Sequence, residues 1–408
     1  MTRFEAPRGT HDILPSEQPL WQWVTGQMQD VCALYGYRRV VTPGFEDTDL
    51  IIRTSGGGSD VVQKETYTFE DRGGRSLTLR PEATAPICRA YIEHGLHREP
   101  QPQKLYTIGQ MWRYDRPQKG RYREHWQLSV EAIGTDDPAV DAEVIQLYAE
   151  LLRRLGVTRY TLELNSIGDT NCRPAYVEAL SQWLDQHDAE LDEEARAKRA
   201  TSPLRVFDVK SRRVQEALTG APKIGDALCD ACRAHFTAVR RFLDSYGVSY
   251  TLVPTLVRGL DYYTRTTFEF RSDDLGAQDT ICGGGRYDGL IEEIGGPPTP
   301  GIGFGAGVER LLLSVPGERE AQPVDVFFVT AETADRVKVV PLLAELRRRG
   351  LRADMDYAGR SQKGQLGQAS RLHAGWTVIV DGGHATVREP GRDDWTARLD
   401  ELVDRISG

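Results

Sequence analysis

The alternation of apolar and polar residues predicts a long antiparallel hairpin over residues 104–134. Leu105 and Thr107 share one strand face near its start, and Leu128 and Val130 share one near its end. A period of two residues is typical of strands. The polar stretch between the two ends contains proline and glycine, so a turn is predicted there.

The same reasoning places further elements around the hairpin. Amphipathic spacing predicts a helix at 139–155, and residues 168–248 are helical, polar and irregular, as expected of an insertion. A glycine run at 56–58 predicts a loop, and 316–323 has the proline and glycine content of a linker. Beyond it strands and helices alternate, which predicts a small α/β domain ending in a helix at 395–406.

The totals exclude some classes of protein. The chain has 408 residues, of which 39% are hydrophobic. Its net charge is −9, so the overall charge does not indicate a nucleic-acid partner. The sequence contains no long apolar run and no signal-peptide pattern, so we expect a cytoplasmic protein with no membrane contact. Six scattered cysteines are expected to be reduced thiols.

Cationic side chains crowd the turn of the predicted hairpin. They are Arg113, Arg116, Lys119, Arg121 and Arg123. A solvated charged face is the simpler interpretation. The alternative is a phosphate site, because the guanidinium fork matches phosphate oxygens and an anion would relieve the repulsion.

Three other segments carry candidate chemistry. Glu82 and Thr84 follow a predicted strand and precede a helix, where they would line a pocket or cap the helix. Glycine at every second position of 301–307 leaves one strand face bare, against which a flat ligand would fit.

The pair Cys229 and Cys232 has a zinc-like spacing, with Cys172 and His235 as the nearest further ligands. Because Cys232 shares a helix face with apolar residues, buried thiols are favoured over a metal site.

Taken together, these segments resemble the histidyl-tRNA synthetase family of class II aminoacyl-tRNA synthetases. Residues 21–43, 105–131 and 301–313 resemble class motifs 1, 2 and 3, and RGLDYYT (258–264) and GGGRYDGL (283–290) resemble the two histidine-specific signatures. The resemblance implies an α+β protein. It would have an antiparallel catalytic domain at 1–320 with the helical insertion, an anticodon-binding α/β domain at 321–408, and a homodimer through motif 1.

The resemblance also implies the reaction, in which L-histidine and ATP with Mg²⁺ give histidyl-adenylate, and the histidyl group then passes to tRNA(His). No tightly bound cofactor and no protein-bound metal are expected. The implied catalytic residues are Arg113 and Arg258. The implied histidine contacts are Glu82, Thr84, Gln127, Glu131, Tyr262 and Tyr263. The implied ATP contacts are Arg113, Asp115, Arg121, Gly305 and Arg310. Those to the tRNA acceptor end are Arg116, Gln118 and Lys119.

Three departures from the family pattern stand at or near these residues. Asp115 replaces a more usual Glu, Ala83 replaces a more usual Gly, and His125-Trp126 replaces Phe-His. Two alternatives compete with the enzyme: a non-catalytic, synthetase-like regulatory subunit of histidine biosynthesis, and an RNA-binding protein without activity. Such a regulatory subunit typically lacks a C-terminal domain and parts of the arginine motifs. An RNA-binding protein without activity would leave the residues that match the histidine-specific signatures unexplained.

Overall fold

The computed structural model describes residues 3–55, 65–276, 279–320 and 323–407. The glycine run at 56–58 and two positions of the predicted linker lie outside these residues. Within them, no helix combines the length and the apolar character needed to cross a bilayer.

The chain divides into two compact units, Met1–Glu318 and Arg319–Gly408. The helices of the first unit are α1 (Gln18–Leu34), α2 (Thr48–Ser55), α3 (Thr84–Glu93), α4 (Pro138–Arg154), α5 (Arg173–Gln186), α6 (Glu193–Thr201), α7 (Arg212–Leu218), α8 (Ile224–Ala227), α9 (Asp230–Tyr246), α10 (Leu290–Glu293) and α11 (Val308–Ser314). Its strands are β1 (Arg38–Arg39), β2 (Phe45–Asp47), β3 (Tyr67–Glu70), β4 (Ser76–Leu79), β5 (Gln103–Trp112), β6 (Glu124–Ile133), β7 (Tyr160–Ser166), β8 (Thr251–Leu252), β9 (Thr264–Ser272), β10 (Thr280–Arg286) and β11 (Gly301–Gly307).

An eight-stranded sheet with the order β1-β5-β6-β11-β10-β9-β7-β8 forms the centre of the first unit. Its pairs are antiparallel except at the two edges, where β1 pairs with β5 and β8 with β7 in parallel. The predicted hairpin is confirmed, since β5 and β6 pair along their full length. A smaller sheet with the order β2-β4-β3 is formed by strands that lie between β1 and β5 in the chain. Its strand β4 is followed by α3.

The two faces of the large sheet bury different partners. Ile108 lies opposite Leu128 in the register, and both belong to a core shared with α1, α4, α9 and α11. On the other face Leu105 lies opposite Glu131 and Gly109 opposite Gln127. The alternation of strand side chains therefore places the polar residues of β6 on the face away from that core.

The helices α5 to α9 lie between β7 and β8, in the stretch predicted as a helical insertion. Their apolar faces join a second core together with α3 and α10. This core also contains Tyr262, Tyr263 and Tyr287, so the insertion supports the loops that carry the two histidine-type signatures.

The second unit is a five-stranded sheet with helices. The elements are β12 (Val326–Thr330), α12 (Thr333–Arg348), β13 (Ala353–Met355), α13 (Gln362–Arg371), β14 (Trp376–Asp381), β15 (His384–Arg388), β16 (Trp395–Arg398) and α14 (Leu399–Ser407), in the sheet order β13-β12-β14-β15-β16. The predicted helix at 395–406 is wrong in its first turn. Ala397 pairs with Ala385 across the sheet, and this cross-strand pairing outweighs the helical pattern that begins at α14. The protein is α+β, as predicted.

Candidate active site

A cavity of about 410 Å³ opens on the polar face of the large sheet. Its walls come from β6, β10, β11, the turn between β5 and β6, and the loop before β9. Predicted site residues that line it are Glu82, Thr84, Arg113, Asp115, Arg121, Gln127, Arg258, Tyr262, Tyr263, Gly305 and Arg310. Segments far apart in sequence thus meet in one cleft.

One end of the cavity is acidic. The backbone N–H groups of Thr84 and Ala85 donate to the Glu82 carboxylate at 2.6 and 2.9 Å, so Glu82 caps α3 and lines the pocket at the same time. The hydroxyl of Thr84 donates to Glu131 at 2.7 Å, and that of Tyr287 donates to the other oxygen of Glu131. Glu131 is fully buried behind the lining residues.

Burial sets the protonation of these carboxyl groups. It raises the pKa of Glu131 to about 8, against the lowering effect of the hydrogen bonds from Tyr287 and Thr84. Burial also raises the pKa of Glu82, although the hydrogen bonds from Ala85 and Thr84 oppose it. A bound cation would be the natural partner of such a pair, because it offsets the cost of two ionised groups in a buried place.

The glycines of β11 make room for this set of side chains. A Cβ on Gly303 would collide with the Glu131 carboxylate, and one on Gly305 would lie 2.7 Å from Nε2 of Gln127. At Gly307 nothing lies within 4 Å of that position. The bare strand face is therefore occupied by the protein's own pocket residues at Gly303 and Gly305 and is open at Gly307.

The paired tyrosines form a buried wall. The rings of Tyr262 and Tyr263 lie 4.6 Å apart, and burial raises the pKa of both hydroxyls, which stay neutral. A Cβ on Gly285 would lie 2.9 Å from the Tyr263 ring, so this signature glycine lets the ring pack flat against β10.

The other end of the cavity is cationic. Nε of Arg113 donates to the carbonyl of Pro81 at 2.8 Å, and within the described ranges Arg113 forms no ion pair. Arg310 donates to the carbonyls of Gly120 and Thr280 at 3.1 and 2.8 Å. Its pKa is lowered, first by burial and then by the charges of Arg121 and Arg113.

Arg258 and Arg121 are held by carboxylates. Arg258 forms an ion pair with Glu269, which also accepts from the Thr280 hydroxyl at 3.1 Å. Arg121 pairs with Asp115. The second oxygen of Asp115 accepts from the backbone N–H of Arg116 at 2.7 Å, so each carboxylate oxygen already has one donor.

The three residues predicted to meet tRNA lie outside the cavity. Arg116, Gln118 and Lys119 are exposed on the turn between β5 and β6. Backbone hydrogen bonds between Gln118 and Arg121, at 2.9 and 3.1 Å, fix the shape of this turn.

Sequence reasoning missed several residues of the cavity, among them His125, Glu269 and Glu309. The pKa of His125 is lowered to about 3 by burial and then by the Arg113 and Arg310 charges, so its imidazole is neutral. Burial raises the pKa of Glu309 to about 7, although it accepts from the Trp126 N–H at 2.8 Å. For Glu269, the only signal in the sequence was its position as a charged residue between two phenylalanines in the predicted strand TFEF.

The sequence and the structure of this chain are similar to those of several known proteins. The family model described as histidyl-tRNA synthetase matches residues 9–311. A histidine-tRNA ligase of Desulforudis audaxviator is 47% identical over an alignment 410 positions long that covers 98% of this chain and 97% of that protein. One from Caldanaerobacter subterraneus subsp. tengcongensis is 46% identical over 380 residues, 92% and 91% of the two chains. The crystal structure of apo S. aureus histidyl-tRNA synthetase is similar over 100% of both chains, with a TM-score of 0.84 and 37% identity.

The antiparallel sheet and its cavity, acidic at one end and arginine-rich at the other, define a class II aminoacyl-tRNA synthetase. The sequence relatives identify the family within this class. The chain belongs to the histidyl-tRNA synthetase family.

Proposed function

We propose that the protein is a histidine-tRNA ligase that activates L-histidine with ATP and transfers it to tRNA(His). Family membership carries the overall reaction. One observation carries the assignment of residues: a buried carboxylate and tyrosine pocket shares a single cavity with four arginines. The regulatory-subunit alternative has less support, because the relatives that are 46–47% identical to this chain are ligases and the arginine and tyrosine motifs are intact.

Activation joins two anions. A carboxylate oxygen of histidine attacks the α-phosphorus of ATP, the new O–P bond forms, and the bond to pyrophosphate breaks. Charge builds on the phosphoryl oxygens, so fixed cations are the main requirement, and removing one such donor typically costs about 10²–10³ in rate. We assign this task to Arg113 and Arg258.

Glu269 orients one of these cations. Its ion pair fixes the Arg258 guanidinium above Gly283, where a Cβ would lie 2.7 Å from Nη1. Holding the cation in place before the substrates arrive reduces the reorganisation needed in the transition state.

The nucleotide would occupy the cationic end. ATP enters as its magnesium complex, since Mg²⁺ is commonly held through substrate phosphates. Arg121 and Arg310 would contact the outer phosphates, and β11 would pass beneath the nucleotide at its open end, Gly307, beyond the Gln127 side chain that covers Gly305. The carboxylate of Asp115 retains lone pairs to accept from the adenine amino group.

Histidine would occupy the acidic end. Its ammonium group would meet Glu82, Thr84 and Gln127, and its imidazole edges would meet Glu131 and Tyr263, with Tyr262 behind the ring. A pocket built to hydrogen-bond its substrate rejects analogues that leave buried polar groups unpaired, by up to about 10⁴–10⁵.

Transfer to tRNA would use the exposed turn. Arg116, Gln118 and Lys119 would contact the acceptor end as it approaches the adenylate, because exposed cations and amides position phosphates and sugars. The unit Arg319–Gly408 would bind the anticodon. Its arginines at 347–349, together with Arg352 and Arg360, suit a phosphate surface although many pair with acidic neighbours.

We further propose a cytoplasmic homodimer. The segment that resembles motif 1 and the strands after it expose large apolar side chains, with Val41 71%, Phe45 49% and Phe69 43% accessible. A second copy of the chain would cover these side chains, since exposed apolar surface on soluble proteins commonly marks interfaces. Sedimentation of the purified protein should give a dimer, and a monomer at micromolar concentration would contradict the proposal.

The deciding experiment is ATP–pyrophosphate exchange with each amino acid in turn. We expect exchange with histidine and with none of the others. Exchange with no amino acid, from folded protein that still binds histidine, would favour the regulatory subunit instead.

A further inference from the structure

Four ligand-type side chains converge at the root of the helical insertion. They are Asp169, Cys172, Cys229 and Cys232, and their ligand atoms all lie within 4.8 Å of one another. The sequence paired Cys229 with Cys232, offered Cys172 and His235 as the nearest further ligands, and favoured buried thiols over a metal. The fold brings Cys172 to the pair, adds Asp169, and separates His235, whose Nε2 lies 3.7 Å from Asp141 instead.

We propose that these four residues form a structural zinc site, with the three Sγ atoms and Oδ1 of Asp169 as ligands. Zinc in structural sites takes four ligands, mostly thiolate and imidazole, and pairs of cysteines separated by two residues are a common source. The site lies outside the substrate cavity and takes no part in the chemistry proposed above.

Two of the ligand-atom distances match tetrahedral coordination closely, and a third is somewhat longer. With Zn–S near about 2.3 Å and Zn–O near about 2.0 Å, neighbouring sulfurs lie about 3.8 Å apart, and sulfur and oxygen about 3.5 Å apart. The Sγ atoms of Cys172 and Cys232 are 3.9 Å apart. Oδ1 of Asp169 lies 3.5 Å from Sγ of Cys172 and 4.0 Å from Sγ of Cys229. All three cysteines are unbridged.

The backbone is arranged to bring these ligands together. Gly168 has φ of 68°, and a Cβ there would lie 2.7 Å from Sγ of Cys172, so a glycine is needed beside that thiol. Cys172 immediately precedes α5, and Cys229 immediately precedes α9. The N-terminus of a helix favours the thiolate, which is the form that binds metal.

Neighbouring groups hold the Asp169 carboxylate and offset its charge. Oδ1 of Asp169 accepts from the Asn171 N–H at 2.9 Å, while Oδ2 lies 3.6 Å from Nη2 of Arg265. Three thiolates and one carboxylate around Zn²⁺ leave a net negative site, so neighbouring cations stabilise it. Hydrogen-bond partners of this kind typically orient metal ligands.

The cluster is tied directly to the predicted histidine pocket. Arg173, next to Cys172, donates to the carbonyls of Gly168 at 3.1 Å and of Tyr263 at 2.5 Å. The N–H of Arg265 donates to the Gly168 carbonyl at 2.7 Å. We therefore infer that zinc fixes the loop carrying Tyr262 and Tyr263, a consequence that rests on the proposed function.

Metal analysis tests the site itself. Protein purified without chelators from zinc-supplemented cells is expected to carry about one zinc per chain. The double variant Cys229→Ser, Cys232→Ser should lose it, whereas Cys32→Ala, which removes a buried thiol elsewhere, should retain it. Cys229→His should also retain zinc, because imidazole replaces thiolate as a ligand.

Cobalt gives a readout that does not depend on variants that fold poorly. Reduced, metal-free wild type titrated with Co²⁺ should show intense tetrahedral visible bands and a thiolate-to-cobalt charge-transfer band. Absence of zinc together with no such spectrum would overturn the site, as would a Cys172–Cys232 disulfide found in native protein by mass spectrometry.

Histidine binding tests the consequence separately. Removing the metal is expected to weaken histidine binding about tenfold, which is the size of effect seen when groups that support a metal site from outside its ligands are lost. Unchanged histidine affinity after zinc loss would overturn the link to the pocket. A zinc-loaded protein that binds no histidine would instead contradict the proposed function and leave the zinc site standing.

Discussion

At the scale of single residues, the cavity gathers carboxyl groups in one part and guanidinium groups in another. Glu82 and Glu131 are buried in the first part and Arg310 lies in the second, while the charge of Arg113 acts on both Glu82 and Arg310. Each group is costly in isolation, since a buried charge needs a partner. This arrangement suits a substrate that places an ammonium group near the carboxyl groups and phosphate groups near the arginines.

Arg258→Ala is expected to lower the rate of adenylate formation about 10²–10³-fold, because a fixed cation near the α-phosphate is lost. Histidine affinity should change much less. Single-turnover adenylation and histidine binding by calorimetry measure the two effects. Arg159→Ala, at an exposed arginine paired with Asp274, is the control, and an unchanged adenylation rate in Arg258→Ala would contradict the role.

The raised pKa of Glu131 predicts how the free energy of unfolding depends on pH. Its pKa is about 8 in the folded protein against an ordinary value of 4.5, so the folded state keeps a proton that the unfolded chain releases. The resulting stabilisation is fully present below about pH 4.5 and is lost as pH rises to about 8. It amounts to several kcal/mol at most, at about 1.4 kcal/mol per pKa unit.

Glu131→Gln should remove this part of the pH dependence. Urea unfolding between about pH 5 and about pH 9 would then show the variant gaining on the wild type as pH rises. Glu178→Gln, at an exposed glutamate of α5, is the matched control. Parallel curves for wild type and Glu131→Gln would show that Glu131 ionises normally.

At the scale of elements, β11 shows why glycine recurs at alternate positions. Gly303 lies directly across the β6–β11 pairing from Glu131, whereas Gly305 lies across from Ser129, and the side chain of Gln127, two residues along β6, reaches over Gly305. A strand with side chains on that face would displace both pocket residues. The bare face therefore serves first to seat the residues of the histidine pocket, and only its end at Gly307 is open to a ligand.

Gly303→Ala is expected to destabilise the protein by about 1–3 kcal/mol or more, because the new methyl group meets the Glu131 carboxylate and the Val130 carbonyl. Gly307→Ala, in the same strand, should stay within about 0.5 kcal/mol of wild type. Thermal unfolding compares the two.

The Gly307→Ala variant also tests the predicted position of the nucleotide. If ATP lies over this end of β11, the added methyl group should raise the KM for ATP in pyrophosphate exchange and leave the KM for histidine unchanged. An unaltered KM for ATP would place the nucleotide elsewhere.

At the scale of the whole molecule, the two units have separate hydrophobic cores. One core packs against the large sheet around Phe268 and Phe304, and another packs around Phe328 and Leu343 in the second unit. Because each unit buries its own apolar residues, each has the means to fold independently.

A chain ending at residue 320 is accordingly expected to keep histidine-dependent pyrophosphate exchange and to lose most tRNA charging. The cavity residues all belong to the first unit, whereas the proposed anticodon contacts do not. Exchange and aminoacylation assays on the same preparation separate the two outcomes. Equal loss of both activities, from a truncated chain with native circular dichroism, would contradict this division of labour.

The sequence by itself determined the features that depend on local pattern. The alternation around Leu105 and Leu128 gave the hairpin, the glycines of 301–307 gave a strand with a bare face, and the signatures at 258–264 and 283–290 gave the family. These patterns can be recognised because neighbouring residues determine strand pairing, turns and motifs.

The tertiary structure alone decided which distant residues meet. It paired Arg258 with Glu269, placed His125 among three arginines, and joined Asp169 and Cys172 to Cys229 and Cys232. It also turned Trp395–Arg398 into an edge strand. No local pattern encodes these outcomes, because each depends on the packing and cross-strand pairing of segments that are brought together only when the chain folds.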